Sequence, residues 1–222
     1  KTWLNDLGGE LLSTAELGSV TSLATEWYQP LTRQQGLFVS ATAEHRRERT
    51  DYFYIEQRIA EYRSARSRLD LMAGYNLDLL GQVRLGWRAW SVNHKLETGI
   101  DIFSSLRDHS GGGWLLAADM DRLDRLYFPR RGWAAQASWF KSPSKDYSRV
   151  SLEARGAMPF LDWVLAGRAT WTGSPSGNLP LHDAGRLGGF LNLTAFSSGQ
   201  LLGDEVGYAH VRAERIIGRL PA

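Results

Sequence analysis

Gln82-Val83-Arg84-Leu85-Gly86-Trp87-Arg88-Ala89-Trp90-Ser91 is a two-faced segment. Val83, Leu85, Trp87 and Ala89 fall on one side; Gln82, Arg84, Gly86 and Arg88 fall on the other. A period of two is the mark of a β-strand, whose successive side chains point to opposite faces. The pattern recurs along the chain. Leu37, Val39, Ala41 and Ala43 oppose Ser40, Thr42, Glu44 and Arg46. Leu69, Leu71, Ala73, Tyr75 and Leu77 oppose Arg66, Arg68 and Asp70. Val150, Leu152 and Ala154 oppose Glu153 and Arg155; Trp163, Leu165, Gly167, Ala169 and Trp171 oppose Arg168. Ala209, Val211 and Ala213 oppose Tyr208, His210, Arg212 and Glu214.

About ten strands are predicted, over 4–16, 20–29, 37–47, 58–76, 81–93, 113–123, 132–141, 148–158, 162–172 and 206–217. Most are longer than the five or six residues usual in soluble proteins. They match the ~9–11 tilted residues that cross a bilayer. The connections fall into two alternating sets. One set (17–19, 48–57, 94–112, 142–147, 173–205) holds all the longest; the other (30–36, 77–80, 124–131, 159–161) is short. Outer-membrane barrels have that asymmetry, with turns on one side and loops on the other. Trp163 and Trp171 share a face. At ~3.4 Å per residue and a tilt of ~40° they stand roughly 20 Å apart along the normal, close to the spacing of two aromatic girdles. Trp133 and Trp139 repeat the relation. A charged face on nearly every strand suits a wet lumen better than the core of a soluble sandwich, the competing reading of the same pattern.

Composition narrows the function classes. In 222 residues there are nine Trp and no Cys, which leaves no disulfide framework or thiolate metal site. Net charge is +2, with basic residues scattered, so nucleic-acid binding is not expected. No run of 18 apolar residues marks a membrane-spanning helix. Catalytic motifs are missing. Gly173-Ser174-Pro175-Ser176-Gly177 places Pro at the nucleophile position of a Gly-x-Ser-x-Gly elbow and reads as a loop. His45, His94, His109, His182 and His210 lack metal-ligand spacing. His210 reads as a hydrogen-bonded lumen residue, and Gly111-Gly112-Gly113 after His109 as a flexible loop. Asn192-Leu193-Thr194 fits a glycosylation pattern that short strings meet by chance. No catalytic residue, metal or cofactor is expected.

Two segments carry family character. Asp121-Arg122-Leu123-Asp124, followed by Phe128-Pro129 and Gly132, lies on the short-turn side. It resembles the mid-barrel turn signature of the bacterial surface antigen superfamily, which includes BamA-type outer-membrane insertases and two-partner secretion transporters. Arg125 stands where that signature has Asn. Arg186-Leu-Gly188-Gly189-Phe190-Leu191-Asn192-Leu193-Thr194-Ala195-Phe196 is similar to the superfamily's long sixth loop, which folds into the lumen. Gly188, Gly189, Leu193 and Phe196 match; Thr194 and Ala195 replace the Arg-Gly of the loop tip. The form of this segment, with Trp27-Tyr-Gln-Pro-Leu31 and Ile59-Ala-Glu-Tyr-Arg63, looks most like the barrel of patatin-like phospholipase autotransporters of type V secretion.

The resemblance implies an all-β fold, an antiparallel up-and-down transmembrane β-barrel. It is partial, about ten of sixteen strands, forms an open curved sheet, and residues 1–222 are a single fragment of a longer chain. It implies an integral protein of the bacterial outer membrane. That barrel anchors an attached patatin-like lipase domain, with translocation of the passenger as a further role and no catalysis of its own. Its partners would be the lipid bilayer, the passenger and periplasmic domains of the same chain, and the barrel-assembly machinery. A secretion or assembly pore of the same superfamily and a barrel-embedded lipid hydrolase are the alternatives. The lumen-facing polar set is Arg66, Arg68, Arg84, Arg88, Glu153, Arg155, Arg168, Arg212 and Glu214. The apolar residues Phe190, Leu191, Leu193 and Phe196 are expected to hold the loop at 185–203 inside the lumen.

Overall fold

The computed structural model describes residues 4–54, 57–101, 108–125, 128–180, 182–189 and 192–215. The strands are β1 (Glu10–Glu16), β2 (Val20–Pro30), β3 (Leu37–Tyr54), β4 (Gln57–Asn76), β5 (Gly81–Gly99) and β6 (Asp108–Asp121). They continue with β7 (Gly132–Ser142), β8 (Tyr147–Phe160), β9 (Trp163–Gly173), β10 (Gly185–Leu187), β11 (Leu201–Gly203) and β12 (Val206–Arg215). Ten of them form one sheet in the order β1-β2-β3-β4-β5-β6-β7-β8-β9-β12, each antiparallel to its neighbour. β10 and β11 pair separately as a small hairpin within the β9–β12 connection. Among the described residues no ladder joins β1 to β12, so the sheet is open rather than a closed ten-stranded barrel.

The four connections at one end are short, and each carries a non-glycine residue with positive φ: Gln35, Asp78, Phe128 and Leu161. At the other end the sequence reading needs correction. Within the expected connections 48–57 and 94–112, the described residues 48–54, 57, 94–99 and 108–112 are strand rather than loop. β3 and β4 run on to Tyr54 and from Gln57, β5 continues to Gly99, and β6 starts at Asp108. The triplet Gly111–Gly113 is part of β6, paired in turn with Trp90, Ala89 and Arg88 across the ladder. Its glycines are needed for space: a Cβ on Gly111 would lie 2.8 Å from the Trp90 ring, and one on Gly113 would lie 2.1 Å from the Lys141 carbonyl oxygen. Residues 4–9, expected to begin the first strand, form a turn instead, built on Asn5, whose side-chain oxygen accepts from the Leu7 and Gly9 amides. The expected end of the last strand at 216–217 lies outside the described residues.

The reason for the missed extensions is visible on β5. Its outward positions are Leu85 and Trp87, then Ser91, Asn93 and Lys95, all exposed. Its inward positions are Arg84 and Arg88, then the buried Trp90, Val92 and His94. Side-chain parity never changes, but polarity inverts between Ala89 and Ser91. Below that level the wall is apolar outside, and its inner face carries arginines and carboxylates together with Phe38, Met72 and Leu115. Above it the wall is polar outside, and the buried Trp90, Val92, Tyr147 and loop residue Leu179 belong to an apolar core that reaches down through Phe140 to Met72 and Leu115 on the Gly86 register row. A second core, Tyr52, Ala60 and Tyr62 with Leu202 packed against it, lies at the same end.

Candidate functional site

The inner wall is a ladder of guanidinium and carboxylate groups set by strand parity. Arg88 donates two hydrogen bonds to Asp70, both 2.7 Å. Arg68 reaches Glu44 at 2.7 Å and the same Asp70 at 3.6 Å. Arg84 pairs with Asp119 across β5–β6. Glu153 takes Arg168 at 3.0 Å and Arg155 at 3.2 Å. On β12, Arg212 pairs with Glu214. Asp70 is buried, so two cations around it are what its desolvation demands. His210 also faces inward, and its Nδ1 has no hydrogen-bond partner among the described residues. Part of this ladder borders a cleft of about 740 Å³ that holds six arginines (Arg68, Arg84, Arg88, Arg149, Arg168, Arg186) and three carboxylates (Asp70, Asp119, Glu153).

Above the cleft the β9–β12 connection is fastened to the wall. Arg66, the remaining member of the expected polar set, donates from Nη2 to Asp183 Oδ1 at 3.0 Å and to the His182 carbonyl at 2.9 Å. The Tyr147 hydroxyl donates to Asp183 Oδ2 at 2.6 Å. The His182 ring packs on Trp90 with centroids 4.4 Å apart. Arg186 on β10 donates to the Tyr52 hydroxyl at 3.3 Å and lies over that ring. Four wall strands, β3, β4, β5 and β8, thus hold residues 182–186.

Burial sets the electrostatics here. Buried against Trp90, His182 is pushed down to about 4, the Asp183 carboxylate opposing the shift and Arg66 adding to it. For Asp183, burial favours the neutral acid. His182, the Tyr147 hydrogen bond, Arg66 and Arg149 outweigh it and hold the carboxyl below its ordinary range. At neutral pH His182 is uncharged, so it is Tyr147 and the two arginines that keep Asp183 ionised.

The glycine-rich motif takes up the remainder of this loop. Gly188 and Gly189 have φ of 120° and 104°, and a Cβ on Gly188 would lie 2.1 Å from the Ser197 carbonyl oxygen. Their amides donate to Asn192 and Phe196 carbonyls at 3.0 and 2.9 Å, closing a compact turn. Leu193 is half-buried, but Thr194 and Phe196 are exposed. Among the described residues, 179–180, 182–187, Asn192 and Leu202 lie inside the wall, whereas 194–198, within the expected 185–203, are exposed. The expected anchors Phe190 and Leu191 lie outside the described residues.

The mid-barrel turn is also built from its motif residues. Asp124 Oδ1 accepts from the Arg130 and Arg131 amides at 2.9 and 3.1 Å, and Asp121 Oδ1 from the Leu123 amide at 2.9 Å. The Arg122 amide donates to the Trp133 carbonyl at 2.8 Å. Gly132 has φ of 109°, and a Cβ there would lie 2.0 Å from the Arg122 carbonyl oxygen. Phe128 and Pro129 flank a hollow near Gly156 and Gly167, with Arg212 over the Phe128 ring at 5.7 Å. The turn and the loop are at opposite ends of the strands, so the two motifs form no common site. Tyr147, His182, Asp183 and Arg186 were not singled out from the sequence. Only Arg186, heading the glycine motif, had a local signal.

No family model matches the chain, and no curated protein matches it. In fold it is similar to BamA from Haemophilus ducreyi, in a crystal structure lacking POTRA domains 1–3, with a TM-score of 0.67 and 17% identity. The match covers 87% of this chain and 41% of that one, so the chain spans well under two thirds of that neighbour's length. The sheet is a partial barrel of BamA-like architecture.

Proposed function

We propose that the chain is a wall segment of a bacterial outer-membrane barrel that anchors, and helps to export, an attached domain, and that it performs no catalysis itself. The single observation that carries this reading is the inversion of the wall. A belt of Leu, Val, Ala and Trp faces outward on the level where the interior carries its arginines and carboxylates, and the exterior turns polar at Ser91, Asn93 and Lys95, opposite the buried Trp90, Val92 and His94. A soluble sheet has no use for exposed Leu69, Leu71, Leu85, Trp87, Trp114, Leu116 and Trp139 on neighbouring strands. A bilayer does. The short-turn end is then periplasmic and the loop at 174–205 extracellular. The patatin-like passenger of type V secretion is supported by the form of Leu187–Phe196 and is preferred to an insertase, whose loop-tip Arg is Thr194 here. The membrane reading is tested by fractionating cells that express the full-length protein. Heat-modifiable migration in the outer-membrane fraction is expected; recovery in the soluble fraction contradicts it. The passenger reading is tested by hydrolysis of a phospholipid by intact cells, lost when the Ser of an upstream Gly-x-Ser-x-Gly is changed to Ala. No such activity contradicts it.

A further inference from the structure

The outer surface of β3, β4 and β5 carries a row of cations that the fold does not need. Arg49, Arg63 and Lys95 are register partners on three adjacent strands, all pointing outward and all exposed. Arg47, also exposed, lies one outward position below Arg49. Like charges directly opposite one another across a ladder are destabilising. Glu97 compensates in part, at 3.3 Å from Arg49 and bonded to Arg63, and Glu61 is 3.9 Å from Arg49. Among the described residues neither Arg47 nor Lys95 makes an ion pair, and Arg47 donates to His45 at 3.1 Å.

Their height is informative. The lowest apolar register row is Leu37, Tyr75 and Val83. Arg47 is ten residues further along β3, roughly 26 Å along the membrane normal at ~3.4 Å per residue and a tilt of ~40°. The outer-membrane apolar band is ~25 Å tall. The Arg49-Arg63-Lys95 row stands ~5 Å higher, and each headgroup layer is about 5–8 Å deep. Both rows fall in the headgroup layer at the long-loop end, and long cationic side chains can lean down toward it.

We propose that Arg47, Arg49, Arg63 and Lys95 form a docking face for the phosphate groups of anionic lipid at that leaflet. The proposal rests on the outer-membrane reading above. Phosphate oxygens bridging adjacent guanidinium and ammonium groups would convert a repulsive row into a bonded one. The partner is a lipid, because the face is on the outer wall at headgroup depth rather than in the lumen.

The test uses the full-length protein in nanodiscs and counts retained lipid by native mass spectrometry, titrating phosphatidylglycerol into phosphatidylcholine. The triple variant Arg47→Gln, Arg63→Gln, Lys95→Gln should lose about a hundredfold in preference for phosphatidylglycerol, and Lys145→Gln, an exposed lysine in the β7–β8 turn, none. A second readout is urea resistance. In pure phosphatidylcholine the triple variant should resist urea at least as well as the parent, since repulsion has been removed. With phosphatidylglycerol the order should reverse. Equal lipid preference in parent and variant, or displacement of the lipid by free phosphate, overturns the docking face. Failure of the parent to insert into either lipid overturns the membrane reading itself.

Discussion

Acidification should release the loop at 174–205 from the wall, and His182 sets how much. The ring is held on Trp90 with only 6% of its side chain exposed, and its Nε2, 3.9 Å from Asp183 Oδ2, makes no hydrogen bond among the described residues. Docked, it is held at about 4 against an ordinary 6.5. The docked state therefore binds fewer protons than the released one. Docking is at full strength above 6.5, weakens as pH falls from 6.5 to 4, and levels off below. A gap of that size is worth about 3 kcal/mol. Asp183 acts in the same direction at lower pH, since its depressed carboxyl loses its stabilising charge as acid protonates it. The chain has no cysteine, so Ser197→Cys, on the exposed part of the loop, gives a unique label site within it. A spin label there, in the full-length protein, should become more mobile between pH 7 and 4. His182→Phe keeps a ring on Trp90 and removes the titration, so its label should stay immobile until Asp183 is protonated. Identical pH curves in the two proteins would refute the reasoning.

Three further outcomes are expected. Leu85→Arg should destabilise the full-length barrel in lipid by roughly 2–4 kcal/mol, while Arg84→Leu, on the inner face, should cost less; equal urea midpoints would reject the assigned faces. Asp183→Asn should weaken loop docking by about 2 kcal/mol, because Arg66 loses its charged acceptor and the buried Tyr147 hydroxyl its short bond, read as trypsin cleavage after Arg186 at neutral pH. Leu161→Gly should raise stability by up to ~1 kcal/mol, since Leu161 sits in the β8–β9 turn with φ of 53° and is 88% exposed, with little packing to lose; a lower midpoint would contradict this.

Strand positions within the apolar band were legible because the alternation there has one cause, an oily exterior opposite a wet interior. Gly81–Ala89 and Trp163–Trp171 show it residue by residue. The upper parts of β3, β5 and β6 were not legible. There His45 to Asp51 is polar on both faces, and Trp90, Val92 and His94 reverse the rule learned lower on the same strand. The turn at Asp121–Gly132 was readable from its motif, because an acidic acceptor and a positive-φ glycine have local consequences. The fastening of the loop was not. Asp183 meets Arg66 across 117 positions and Tyr147 across 36, and neither separation leaves a trace in a single sequence. Thr194 and Phe196 mark the loop by resemblance, yet the contacts with the wall are made by the less conspicuous His182, Asp183 and Arg186.

The most direct test of the wall is a spin-label scan of positions 82–91 in the full-length protein in bilayers, reading collision with oxygen against collision with a water-soluble nickel chelate. Labels at 83, 85, 87 and 89 should favour oxygen, those at 84, 86 and 88 should not, and the preference for oxygen should disappear at 91. A scan with no period of two, or with nickel favoured at both parities, would contradict a membrane-facing sheet.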